Sequence, residues 1–263
     1  MSAFSSRIVV VVVLAPAVLY LGYRGGWWWF AVGAVGALIA LDEFWRLARA
    51  TGPLALAGYV GTALTLLGAQ KGGVEWAVGG FLATLPMAFC LKVVSRARQA
   101  PTAAISSTVL GSTWVGLGVA FLLLLRALPS HGRLALFTLL LAVWAGDTLA
   151  YFGGRLFGRH KLAPSTSPGK TWEGFVFGTA ATIFVTFEAL YHQHFMSIGD
   201  SIVLGVVIAV AAPLGDLFES LLKRDAGVKD SGRLLGGHGG MLDRLDAFLF
   251  AAPAAYFTII ALT

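Results

Sequence analysis

Nine apolar runs, each about 17 to 25 residues long, dominate this 263-residue chain, and a run of that length is what a helix needs to cross a bilayer. They fall at 7–23, 26–44, 53–70, 73–93, 104–126, 133–153, 172–192, 201–222 and 245–262. With 57% hydrophobic and 12% charged residues and a mean hydropathy of +0.80, the chain carries more apolar surface than a water-soluble fold of this size can hide. The fold class that follows is all-α: a polytopic helical bundle with about nine transmembrane helices. The connections are short and no internal repeat is evident. The chain therefore reads as one membrane domain over 1–263, with an N-terminal helical part at 1–130 and a chemically equipped part at 131–263. Arg7 alone precedes the first run, which lacks a small-residue cleavage site and reads as a span rather than a signal peptide. One cysteine, Cys90, excludes an intramolecular disulfide.

Positive charge sets the expected orientation. A cytoplasmic N-terminus places 15 of the 19 lysines and arginines on the cytoplasmic side, and Arg24, Lys71, Arg126 and Arg133 on the other. That asymmetry predicts the N-terminus inside and the C-terminus outside; the expected location is the cell's inner membrane. The net charge of +6 is then a topological signal, with attraction to anionic lipid and nucleotide added, and it does not call for nucleic acid. Trp27, Trp28 and Trp29 stand at the outer end of the second run, where indole rings anchor in the headgroup layer.

Against this apolar background, segment 220–246 (SLLKRDAGVKDSGRLLGGHGGMLDRLD) holds five cations, four carboxylates, one histidine and six glycines in 27 positions. Cations hold phosphates, carboxylates hold hard metals and glycines let backbone approach a ligand, which together are the parts of metal-assisted phosphoryl chemistry. A solvated loop on the positive side of the membrane is the plainer alternative. Asp216, Glu219, Ser220 and Lys223 follow at i, i+3, i+4 and i+7, and so share one helix face. Asp243 and Asp246, at i and i+3, would aim together from the next helix. Asp147 and Asp216 each stand seven residues before the cytoplasmic end of an outside-to-inside run, about 10 Å below it. Carboxylates at that depth cost about 2.5 kcal/mol or more and are kept with a partner. For Asp147 that partner is either a ligand or Arg155; for Asp216 it is either a metal or a structural ion pair.

Segment 220–246 resembles the signature of the phosphatidate cytidylyltransferase (CDP-diacylglycerol synthase) family, with Ser220, Lys223, Arg224, Lys229, Asp230, Gly232, Leu235, His238, Gly239, Gly240, Asp243, Arg244 and Asp246 in the fixed places. Gly236 stands where proline is more usual. A second segment, 147–174, is similar to the family through Asp147, Ser167, Pro168, Lys170, Thr171, Glu173 and Gly174, with Gly169 where a lysine is common. The likeness is close over the C-terminal half; the N-terminal half matches only as a hydrophobic bundle.

The resemblance implies transfer of a cytidylyl group from CTP to phosphatidic acid, with pyrophosphate released, in phospholipid biosynthesis. It implies Mg²⁺ as cofactor, leaving room for a second metal or a monovalent cation, and a site facing the cytoplasm. The expected metal ligands are Asp147, Asp216, Asp243 and Asp246, and the expected catalytic groups are Lys223, Asp243 and Asp246. Substrate contacts are expected from Ser220, Arg224, Lys229, Asp230, His238, Gly239, Gly240, Arg244, Ser167, Lys170 and Thr171, the last two opening the seventh span as an anion-binding helix N-terminus. For His238 a hydrogen bond that stabilises the turn is the alternative. Expected partners are CTP, phosphatidic acid and the bilayer, with a homodimer left open. An ion-coupled transporter would place acids at membrane depth without needing the basic, glycine-rich loop. Another CTP-dependent lipid nucleotidyl- or phosphotransferase is the nearer alternative, although the CDP-alcohol phosphotransferase pattern is absent.

Overall fold

Every described apolar run is helical in the computed structural model, which describes residues 15–95, 99–191, 193, 195–232 and 239–263. In chain order the elements are α1 (Ala15–Arg24), α2 (Gly26–Leu47), a 3-10 turn (Ala48–Thr51), α3 (Ala55–Leu82), α4 (Thr84–Val94), α5 (Pro101–Gly111), a π-helical turn (Ser112–Leu117) and α6 (Gly118–Ala127). There follow α7 (Gly132–Phe157), strands β1 (Lys161–Ala163) and β2 (Ser167–Thr171), α8 (Trp172–Tyr191), α9 (Ile198–Asp225) and α10 (Leu242–Leu262). Among the described residues, six helical stretches are long and apolar enough to cross a membrane: Ala55–Val94, Pro101–Ala127, α7, α8, α9 and α10. The protein is therefore an all-α polytopic membrane protein, apart from the β1–β2 hairpin, which the sequence did not lead us to expect.

The 40-residue stretch Ala55–Val94 does not run straight. Gly73 has φ 78° and ψ −157°, a conformation outside the helix that suits glycine, and the chain reverses there. A Cβ on Gly68 would lie 2.3 Å from the Trp76 carbonyl oxygen, and one on Gly80 2.4 Å from the Leu64 carbonyl carbon. The arms 55–72 and 74–94 thus lie backbone to backbone, as small residues allow inside membranes. The expected break between the third and fourth runs falls at this reversal.

The chain forms two compact units, 1–127 with 226–245, and 128–225 with 246–263. In the first, α6 is the central helix, buried from Val119 to Leu125. At one end of this unit the Arg126 guanidinium donates to the carbonyls of Gly22 and Tyr23, and Lys71 sits 5.0 Å over the Trp27 ring. At its other end Trp45 packs edge-on against Phe44 and Tyr59, and the Thr108 hydroxyl accepts from Leu54 N–H at 2.8 Å. In the second unit α7 and α8 make the most extensive helix pair. A Cβ on Gly178 would come 2.8 Å from the Gly146 carbonyl oxygen, and one on Gly174 2.6 Å from that of Ala150. Gly205 brings α9 equally near α8, at 2.8 Å from Ile183 Cα. These glycines therefore have the close-packing role expected of small residues in a bilayer.

Candidate active site

Close helix approach gathers the acids of the second unit. On α9, a Cβ on Gly215 would lie 2.3 Å from the Asp246 carbonyl oxygen, so α9 and α10 touch where each carries an aspartate. Asp246, 9% exposed, lies within electrostatic reach of Asp216 and Glu219 and hydrogen-bonds with Glu219. Asp147 on α7 lies within reach of Asp216 and of Lys170. It stands ten residues from the C-terminal end of its helix and Asp216 nine, about 15 and 14 Å of helical rise, and both helices run three or four residues further than expected.

Two lysines enter this acidic group. Lys170 Nζ is 2.5 Å from Asp216 Oδ2, and Lys223 Nζ donates to Glu219 Oε2 at 2.6 Å. The Ser220 hydroxyl faces Asp216 Oδ1 at 3.4 Å. Lys170 is carried by β2 and not by the first turn of α8. Strands β1 and β2 pair antiparallel, Lys161 opposite Thr171 and Ala163 opposite Ser167, and Arg224 Nε at the end of α9 donates to the Thr166 carbonyl at 3.2 Å. The Thr171 hydroxyl accepts the Gly174 N–H at 3.1 Å, which caps α8. Glu173 closes the loop before the hairpin: its carboxylate accepts the N–H groups of Arg159 and His160 and meets His160 Nδ1 at 2.6 Å. Arg155 donates to the Tyr151 hydroxyl, so the Asp147–Arg155 alternative is not what forms.

The rest of the polar segment belongs to the first unit. Lys229, Asp230 and Arg244 are exposed. Asp243 Oδ2 accepts from Ser231 N–H (3.1 Å), the Ser231 hydroxyl (2.9 Å) and Gly240 N–H (2.7 Å). Asp243 and Asp246 stand at i and i+3 of one helix, Asp243 meeting Ser231 and Gly240 and Asp246 meeting Glu219. Gly239 has φ 79°, a conformation that favours glycine, with the Asp243 carboxylate 2.7 Å from where a Cβ would stand. His238 lies outside the described residues, as do Gly236 and Leu235.

The donor set suits a hard cation. Asp147, Asp216, Glu219 and Asp246 offer only oxygen, and they outnumber the two lysines among them, so the group favours a divalent ion such as Mg²⁺ over metals that take nitrogen or sulfur. Among the described residues no three ligating side chains stand close enough to form a ready-made cage. Mg²⁺ is commonly held by one or two carboxylates and completed by substrate phosphates and water, and these four carboxylates can supply such a pair. From sequence Glu219 stood on the Asp216 face with no role of its own, and neither Glu173 as the loop clamp nor Glu43, whose partners are Ser231, Met241 and Leu242, was singled out. Glu43 had one visible signal: with Asp42 it puts two acids at the end of an apolar run.

A family model described as the cytidylyltransferase family matches residues 5–262. A phosphatidate cytidylyltransferase of Synechocystis is 32% identical over 287 aligned positions, covering 98% of this chain and 97% of that one. One of Mycobacterium bovis is 34% identical over 256 positions, covering 89% and 81%. One of Haemophilus influenzae reaches 43% identity, but only over 51% of this chain and 49% of its own length.

Proposed function

This chain belongs to the cytidylyltransferase family, and from that premise we propose that it transfers the cytidylyl group of CTP to phosphatidic acid, forming CDP-diacylglycerol and pyrophosphate. In this reaction a phosphate oxygen of the lipid forms a bond to the α-phosphorus of CTP, and the bond from that phosphorus to the oxygen bridging to the β-phosphate breaks. The nucleophile is already an anion, so no general base is required. The barrier lies in bringing two polyanions together and stabilising the charge that develops on the leaving pyrophosphate.

The observation that carries this reading is the alternation of ammonium groups and carboxylates in the second unit, Lys170 on Asp216 and Lys223 on Glu219, with Asp246 and Asp147 beside them. Lys170 and Lys223 are assigned to phosphate oxygens, where each neutralises charge without moving far from its carboxylate. The carboxylates in turn hold the ammonium groups in place before substrate arrives, which is the preorganisation such catalysis needs. Asp216 and Asp246, with Asp147 next to Asp216, are the residues that would hold Mg²⁺, which when bound neutralises the phosphates of CTP and polarises the α-phosphorus. In the first unit Lys229 and Arg244 are assigned to anion binding, and Asp243 to shaping the segment that bears them.

We assign nine crossings with the N-terminus cytoplasmic and the C-terminus external. The six long apolar helices become nine when Ala55–Val94 counts as two arms and α1 and the 22-residue α2 are added. The 15-to-4 charge asymmetry sets the direction. The site then faces the cytoplasm at the inner membrane, where soluble CTP meets a lipid that keeps its chains in the bilayer. Purified protein given CTP labelled in the α-phosphate, Mg²⁺ and phosphatidic acid is expected to yield label in the lipid phase and one pyrophosphate per label transferred. Label that stays in water, or lipid labelling without pyrophosphate, refutes the reading.

A further inference from the structure

Glu43, in the last turn of α2, is 3% exposed, and among the described residues it forms no ion pair. A carboxylate buried in so apolar a chain is retained only if strong donors hold it. The donors come from the other end of the sequence. Oε2 accepts Leu242 N–H at 2.8 Å and Oε1 accepts Met241 N–H at 3.1 Å, and the Ser231 hydroxyl, 3.1 Å from Oε2 and 2.9 Å from Asp243 Oδ2, shares its one proton between the two carboxylates. Two glycines make room for it: a Cβ on Gly232 would stand 2.2 Å from Oε1, and one on Gly240 2.4 Å from Oε2 and 2.3 Å from the Ser231 oxygen. Ser231 also donates to Asp243, which takes Gly240 N–H as well, so the Glu43 and Asp243 carboxylates meet at Ser231. Met241 and Leu242 lead into α10, and a negative charge on their N–H groups also complements the helix dipole.

We propose that Glu43 is a positioning residue of the reaction. It pins Ser231 and the start of α10, and thereby fixes the backbone from which Lys229 and Arg244 project. Its effect on activity rests on the function proposed above; its effect on the segment does not. Glycine at 232 and 240 is then required by the carboxylate that sits against it, in addition to any approach of a ligand.

The test uses the full chain in detergent or vesicles and compares wild type with Glu43→Gln, Glu43→Asp and Ser231→Ala. In Glu43→Gln an amide NH₂ replaces one acceptor oxygen and turns a donor toward a donor. The expected result is a fall in kcat of tenfold or more. Amide exchange in 229–242 should speed up at least tenfold, while 132–157 stays unchanged. Glu43→Asp keeps the charge one methylene short and is expected to recover part of both. Glu43→Gln within twofold of wild type, or exchange that rises equally in both segments, overturns the proposal, since a merely structural residue would loosen the whole fold. If Glu43→Gln does not accumulate, Ser231→Ala decides: faster exchange confined to 229–242 with about a threefold loss of kcat supports the proposal, and unaltered exchange overturns it. Wild-type protein that makes no lipid-linked cytidylyl product refutes the reaction instead, and exchange, which needs no substrate, still decides the role of Glu43.

Discussion

Lys170 and Lys223 make nearly the same contact with a carboxylate, at 2.5 and 2.6 Å, but in different surroundings. The Lys170–Asp216 pair is 25% and 36% exposed, whereas Lys223–Glu219 is 12% and 1%. A pair open to water adds about 0–1 kcal/mol to stability, while removing one partner of a buried pair costs about 3–5 kcal/mol. Lys170→Ala is therefore expected to lose about a hundredfold in activity, the scale for a preorganised charge-stabilising group, with little change in thermal midpoint. Lys223→Ala should lose both activity and stability, and Lys161→Ala neither; activity assays and thermal scans in detergent separate the three. If Asp216 and Asp246 act as one unit on Mg²⁺, Asp216→Asn and Asp246→Asn should each nearly abolish turnover, and the double variant should be barely worse. Multiplicative losses with an unchanged Mg²⁺ dependence would count against a shared role. At Gly169 a Cβ meets nothing within 4 Å. Gly169→Lys should thus fold normally, and one more exposed cation, worth about 0.5–1 kcal/mol, should lower KM for CTP roughly two- to fivefold.

Among the elements, the α7–α8 seam depends on absent side chains. Gly178→Leu must push α7 away, because even its Cβ would meet the Gly146 carbonyl at 2.8 Å, and the shift would displace Asp147 from Asp216 and Lys170. Activity is expected to fall more than tenfold and the thermal midpoint by several degrees, whereas Gly73→Ala should affect stability first, since φ 78° strains any side chain there. Helices of this kind were easy to find because run length alone betrays them, and Lys223 with its acids was legible from i, i+4 and i+7 spacing. The β1–β2 hairpin was hidden because strands of three and five residues between proline, serine and glycine carry no usable period. Which face of each helix turns inward was equally hidden, since lipid and protein interior are both apolar and leave no amphipathic stripe. Glu43 could not be assigned from neighbours in sequence, because its partners lie 188 to 199 residues away.

For the whole molecule the charge distribution makes a direct claim. A reporter fused after Thr263 should behave as external and one inserted in 94–102 as cytoplasmic, read by protease protection or by enzymatic tags active on one side only. A cytoplasmic C-terminus would mean an even number of crossings and a mistaken count, first to be sought in 55–94. The grouping of 226–245 with 1–127 also has a consequence for how the protein is made. Glu43 leaves the ribosome nearly 200 residues ahead of Leu242, and at about 5–20 residues per second its donors arrive roughly 10–40 s later. Through that interval the nascent N-terminal helices hold a carboxylate with none of its final partners. A chain that stalls before 231 would keep that carboxylate without the donors that hold it in the finished fold.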